Sequence, residues 1–453
     1  MAHSIYKNIK WMLVIVLLPA FVCSGILKAG AAEADTSDAN VQIVKAAPLA
    51  VVLSYAYQSN PAIRAAKASW RSAIEKYRVA TGYPDPQLNT IYWPQDPSRT
   101  WSNRRFDVSL TQTIPYPGKL SAAGRVADAD SRIARLKLDK AARDVAVRVR
   151  DSYYELLYIR EATRIAGQNR QALDHLQQIA ETAYAGDRAA LYDVLKAKAQ
   201  AGQVQYDGLL LHDLEQTEVA RLNALLNRPP DAVIGQLSDP PVTPVAFDLK
   251  TIYQMADEHR EEIQEAETGV EKSRAEADVA KYENRPEFMV GFTYEYNAPN
   301  PPGTPSDNMY GIQLGMTLPI WADKNAGRRE AAQAGIDKAS ATLQDKINET
   351  RSLIRETYFR LENAQRLVSL YRDQLLPQAA QAMQTAETWN REKQGSFADY
   401  VETESVWYNF QLALARAKAD YGKYLAKLEG AVGIPLTGSA ATSPTSQPSG
   451  ETP

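Results

Sequence analysis

The chain has 453 residues, room for two or three ordinary domains or one long repeat architecture. Charged residues make up 23% of it and the formal net charge is −3, so the basic footprint that a nucleic-acid partner requires is missing. With one cysteine, Cys23, neither an internal disulfide nor a thiolate metal cluster is within reach.

At the start, Lys7 and Lys10 precede an apolar run over 11–22, followed by Ala29-Gly30-Ala31-Ala32. This reads as a secretory signal peptide over residues 1–32, its apolar run too short for a membrane span. Its removal takes away three lysines and no acid, moving the net charge from −3 to −6. Cys23 follows Phe21-Val22, where a lipoprotein anchor needs small residues, so it is expected to leave with the leader. No later stretch reaches the 18 or so apolar residues of a membrane helix, so any crossing must be made by strands.

The rest of the chain is written twice. Asn60-Pro61-Ala62-Ile63 is matched by Arg260-Glu261-Glu262-Ile263, and Thr113-Ile114-Pro115 by Thr317-Leu318-Pro319. Ser152-Tyr153-Tyr154-Glu155-Leu156 is matched by Thr357-Tyr358-Phe359-Arg360-Leu361, and Leu226-Asn227-Arg228-Pro229 by Val432-Gly433-Ile434-Pro435. The order is kept and the offset drifts only from 200 to 206, which is the mark of a tandem duplication.

Each copy has the same order of elements. The first, over 33–226, has a helix, strands near 87–93 and 106–114, and long helices near 120–185 and 190–226. Residues 227–249 are a proline-rich link. The second copy, over 250–436, has a helix, strands near 287–296 and 310–318, and long helices near 324–393 and 397–432. Residues 437–453 are rich in Ser, Thr, Pro and Gly and read as a disordered tail.

Phe288, Val290, Phe292, Tyr294 and Tyr296 alternate with small or polar residues, as do Tyr310, Ile312, Leu314, Met316 and Leu318. Period two with one apolar face predicts half-buried strands. The helical runs are long; Ile347, Ile354, Leu361, Val368 and Leu375 recur every seven residues, which predicts left-handed coiled-coil packing. Pro377 interrupts that helix and is expected to kink it.

Four strands of this length can cross a bilayer, but they cannot close a barrel, and an open edge in hydrocarbon leaves backbone groups unpaired. The chain is therefore expected to oligomerise, three copies giving a twelve-strand barrel with outer-membrane lipid around it. Tyr92, Trp93 and Trp101 at one end, and Tyr116 and Trp321 at the other, fall where the membrane interfaces would lie. Two junctions turn strand into helix: Pro115, Pro117, Gly118 and Lys119 in the first copy, Pro319 and Lys324 in the second. Each proline ends its ladder because it has no N–H to give. Both lysines sit at the expected membrane boundary.

The QTIPYPGKL junction, LLPQAAQA at 375–382, the turns YAGDRAALYDVLKA (184–197) and REKQGSFADYVE (391–402), and the duplication together resemble the TolC family of outer-membrane efflux factors. The PYPGK form is similar to the heavy-metal (CzcC-type) branch. The resemblance covers about residues 48–436. It implies a mostly α homotrimer with a twelve-strand outer-membrane barrel and a helical tunnel reaching into the periplasm. It also implies docking of the helix tips (Gly186, Asp187, Gly395 and Ser396) onto a periplasmic adaptor that links the duct to an inner-membrane pump of the RND type. The acids just past the helix turns, Asp399 and Glu402 with Asp193 in the first copy, would line the pore and favour cations. The turn after Gly395 is shorter than in the better-known members, which puts their gating links in doubt.

Three other readings compete. An enzyme lacks support, since His3, His175, His212 and His259 are scattered without ligand spacing, and neither catalytic residue, metal nor cofactor is expected. A periplasmic coiled-coil scaffold explains the helices but not the strands. A type I protein secretion duct would share the fold and differ in cargo.

Overall fold

The computed structural model describes residues 42–93, 104–186, 190–299, 303, 305–306, 308–391 and 397–437. The signal peptide, Trp101, Asp187, Gly395, Ser396 and all but the first residue of the tail lie outside the described residues.

The first copy opens with α1 (Leu49–Ser59) and α2 (Pro61–Thr81). They break at Asn60, whose side chain accepts from Ala62 N at 2.9 Å while Pro61 takes the first helical position, where its missing N–H costs nothing. The second copy opens with α5 (Leu249–His259) and α6 (Glu261–Tyr282), broken at Arg260 with nearly the same backbone: φ −71°, ψ 123°, against −65° and 125° at Asn60. Each break is tied to the end of its own copy. Asn60 Nδ2 donates to Leu225 O at 2.8 Å, and Arg260 Nη1 donates to Ala431 O at 2.9 Å.

The long helices are α3 (Lys119–Ala185) and α4 (Leu191–Leu225) in the first copy, and α7 (Ala322–Leu370), α8 (Leu376–Arg391) and α9 (Phe397–Val432) in the second. At 67 residues α3 is about 100 Å long. On α7 the buried positions are Thr350, Ile354, Thr357, Leu361, Ala364 and Val368, the two seams of the seven-residue repeat. The irregularity attributed to Pro377 sits earlier than the proline itself. Residues Tyr371–Leu375 form a π turn between α7 and α8. Pro377 has no N–H for the carbonyl four residues back and its ring crowds that carbonyl; widening the preceding turn relieves both.

Both copies stop on a left-handed residue, Asn227 (φ 55°) after α4 and Gly433 (φ 90°) after α9, the conformation that closes many helices. Between them, two hydroxyls pin the link. Tyr153 Oη accepts from Ser238 N at 2.9 Å, and Tyr421 Oη donates to Thr243 O.

The two cores are one core repeated. Around α1 pack Val52, Ala56, Val149, Leu156, Leu222 and Leu226; around α5 pack Ile252, Ala256, Ile354, Leu361, Leu428 and Val432. Each fully buried aliphatic side chain contributes about 1.5–3 kcal/mol, so the matched sets hold both halves in one geometry. The helix α3 joins the halves: α6 wedges between α3 and α7, and α9 between α3 and α7–α8. Their counterparts α2 and α4 pack chiefly on α3 and leave the other flank open.

The strands are β1 (Ala46–Ala47), β2 (Gln87–Tyr92), β3 (Arg104–Ile114), β4 (Gln236–Leu237), β5 (Phe288–Asn297) and β6 (Met309–Met316). β1 and β4 form a short parallel pair by the link; the others make one antiparallel sheet in the order β2-β3-β5-β6, so the copies meet at β3–β5.

Candidate functional site

The register sorts the sheet into two unlike faces. Ile114 pairs with Phe288 and Phe288 with Met316; Leu110 pairs with Phe292 and Phe292 with Ile312; Val108 pairs with Tyr294 and Tyr294 with Tyr310. Directly opposed residues share a face, so these side chains form one continuous apolar surface. Ile312 on it is 81% exposed. The other face carries Asn89, Asp107, Ser109, Thr111, Gly291, Thr293, Glu295, Gly311 and Gln313, polar or small almost throughout. Towards the loops the apolar face ends in packed rings, Phe106 on Tyr296 and Tyr294 on Tyr310, both with centroids 5.2 Å apart. At the far end Leu318, Ile320 and Trp321 stand exposed. β5, with ten residues at about 3.3 Å each, is long enough to cross hydrocarbon when tilted. Both outer strands, β2 and β6, have an unpaired edge.

The junctions differ more than their sequences do. In the first, Pro115 is buried at the end of β3, Pro117 and Gly118 form an exposed turn, and Lys119 begins α3. Gly118 has φ +92°, and a Cβ there would sit 2.7 Å from the Tyr282 hydroxyl of α6. Lys119 is not free for a lipid headgroup: its ammonium pairs with Glu287, just ahead of β5. Tyr116 rests against Tyr282 and under the Arg285 guanidinium. In the second, Asn325 Nδ2 donates to Pro319 O at 3.2 Å and Lys324 is exposed. Gly118→Ala is expected to cost about 1–3 kcal/mol, since alanine must hold a positive φ; the thermal midpoint of the solubilised protein reads it, with Ala322→Gly as a control that carries no such strain.

At the other end, Gly186 closes α3, its N–H donating to Thr182 O at 3.2 Å. Asp193 is occupied as a cap, its Oδ2 accepting from Ala190 N at 3.3 Å. Asp399 and Glu402 are both exposed on the first turns of α9 and share a strip; Asp193 is on another helix. Behind the strip, Val401 and Glu404 are buried. Among the described residues no group of three or more His, Cys, Asp or Glu could hold a metal ion, and no helix is long and apolar enough to cross a membrane.

A family model described as "Outer membrane efflux protein" matches residues 52–228 and again 252–434, most of the chain and both copies. The chain belongs to this family. Solved structures agree on the fold of this outer membrane efflux protein. VceC from Vibrio cholerae is 19% identical, with 86% of this chain and 96% of that one covered and a TM-score of 0.71. The outer-membrane channel OprN is 18% identical, covering 88% and 91%, TM-score 0.73. CusC, whose structures concern folding and transmembrane channel formation, is 15% identical, covering 85% and 92%, TM-score 0.73. A comparison with curated proteins returned no match. By its family the protein is an outer membrane efflux protein, and that family is one of ducts rather than enzymes.

Two features of this efflux protein carry no site role in the sequence reading, although Glu261 and Glu262 stand there in the repeat match. Glu261 and Glu262 of α6 close on Arg143 of α3: Arg143 Nη2 lies 2.7 Å from Glu262 Oε1, and Nη1 contacts both glutamates. Burial alone would raise the Glu262 carboxyl, but the hydrogen bonds and charge of Arg143, with the charge of Arg260, hold it down at about 2. Burial wins at Glu261, which is raised. The other feature is Glu404, a carboxyl at a seam position of α9. An acid on an amphipathic helix reads as solvated; the spacing of buried Val401, Glu404, Tyr408 and Ala415 is the signal that it is not.

Proposed function

We propose that the protein works as a homotrimeric exit duct, four strands from each copy closing a twelve-strand barrel and the long helices forming the tunnel below it. One observation carries this reading. The sheet has an apolar outer face and an unpaired strand at each edge, a combination that hydrocarbon tolerates only when the edges are joined to further copies. The helices support it. In the second copy α6 and α9 are each held on two flanks, so the open flanks of α2 and α4 call for the α7–α8 of a neighbouring copy. Leu195, Tyr206 and Leu209 stand exposed on α4; Leu209 is 62% exposed.

In this reading the tips around Gly186, Asp187, Gly395 and Ser396 meet a periplasmic adaptor coupled to an inner-membrane pump of the RND type, and the cargo is small molecules or metal cations. The strips of Asp399 and Glu402 from three copies ring the narrow end and favour cations. Asp193 adds little, because its carboxylate serves the helix start. Light scattering of the purified protein in mild detergent tests the assembly: a trimer from the outer-membrane fraction is expected, and a detergent-independent monomer would end the reading. Neutralising the ring with Asp399→Asn and Glu402→Gln is expected to cut the cation preference of single channels at least twofold, read as reversal potential in a salt gradient. An unchanged potential would remove these acids from the pore.

A further inference from the structure

Glu404 is 3% exposed, and no hydrogen bond or ion pair to its carboxyl is found among the described residues. Its surroundings follow from the contacts on either side. One turn towards the tip, Val401 packs with Leu173 and Val194. One turn the other way, Tyr408 packs with Ile165 and Ala166. Midway between these α3 residues lies Asn169, itself only 6% exposed, with an Oδ1 that has no partner. At the same height Gln200 Nε2 of α4 donates to Ser405 Oγ at 2.8 Å. A polar layer of Asn169, Gln200, Glu404 and Ser405 therefore interrupts an otherwise apolar seam, where the α3–α4 hairpin of one copy meets the α8–α9 hairpin of the other.

Charged groups on the turns around that height are Arg170 and Asp174 on α3, Lys196, Lys198 and Asp207 on α4, Glu387 on α8 and Glu402 on α9. Arg170 pairs with Asp174, 3.7 Å apart, and Lys198 with Glu181, 2.9 Å apart. None of these charges reaches Glu404; burial alone raises its carboxyl above the ordinary glutamate value. The packed seam thus prefers the neutral acid, because an ionised carboxylate there gives up much of its hydration and gains no charged partner in return. The π turn at Tyr371–Leu375 gives the α8–α9 hairpin a place to bend.

We propose that this layer is a proton-operated latch: with Glu404 neutral the two hairpins stay sealed, and loss of its proton lets α9 part from α3 and α4. The sign follows from the raised carboxyl. The seal is strongest below the ordinary glutamate range and weakens as pH rises through the higher value of the packed state. The latch rests on the reading of the tips as the narrow end of the duct.

Two readouts test it. Single-channel opening in planar bilayers is expected to rise with pH in the wild type and to stay at its acid level in Glu404→Gln and in the apolar variant Glu404→Leu. Spin labels on Gln171 of α3 and Val406 of α9 are expected to show a longer second distance growing in with pH in the wild type and absent in both variants. The exposed His175 and His212 remain in every variant, so the difference isolates Glu404. A variant that keeps the wild-type pH dependence, or a wild type with none, overturns the latch. A protein that conducts at no pH refutes the duct reading instead, and the label distances still judge the latch.

Discussion

Ile312→Arg is expected to keep the protein out of the outer membrane. The side chain lies near the middle of β6, faces away from the polar surface and is 81% exposed in a single chain. Its row is Leu110, Phe292 and Ile312, all apolar. An arginine at mid-depth on the lipid face of a barrel costs about 2–4 kcal/mol, and in the proposed trimer it enters three times. The measurement is the share of protein that floats with outer membranes and runs as a heat-sensitive oligomer. Gln313→Arg, one residue along and on the polar face, is the control and is expected to insert as the wild type does. Equal behaviour of the two would mean that the apolar face does not meet lipid.

Arg143→Ala is expected to destabilise the chain by about 3–5 kcal/mol, the cost of stranding a buried charge. Its guanidinium is 12% exposed and faces two carboxyls that are hardly more open. Without it, Glu262 keeps Arg260 at 3.2 Å and Lys140 at 3.5 Å, and Glu261 keeps neither. Much of the loss should return on pairing Arg143→Met with Glu261→Gln and Glu262→Gln, which removes the stranded charges along with their partner. Thermal unfolding in detergent reads both. The pH dependence is a separate check. The Glu262 carboxyl ordinarily titrates at 4.5 and is held at about 2, so its contribution is full above pH 4.5 and is lost as pH falls towards 2. The stability gap between wild type and Glu262→Gln should therefore open between pH 2 and 4.5 and stay level above. A gap independent of pH would show that the carboxylate charge is not what Arg143 holds.

Much of this architecture is legible in residue spacing. Phe288, Val290 and Phe292 at period two are strand residues on one face, and Ile354, Leu361 and Val368 at period seven are buried in a helical seam. Both patterns are local consequences of how side chains project, which is why they survive without tertiary information. What spacing does not carry is partnership. Lys119 looks like a boundary lysine until Glu287, 168 residues away, is brought beside it. Gly118 looks like an ordinary turn glycine until Tyr282 fills the space above it. Pro377 announces an irregular helix, but which turn widens depends on the packing of the residues before it, among them Tyr371 against Phe410. Glu404 is the furthest from view: its seam spacing with Val401 and Tyr408 is the one mark it carries, and its lack of a partner shows only once the helices are packed.

The duplication has one more consequence. In the proposed trimer, two equivalent halves in each chain would make a ring with sixfold repetition if the copies were alike. They are not alike at the latch: the position corresponding to Glu404, 206 residues earlier, is Lys198, which stands half exposed and pairs with Glu181. Fusing the halves into one chain let mutation act on one of them alone. Any device built from the second half then recurs at every other seam around the ring, and the seams between, with a lysine in its place, are free to serve as fixed staves.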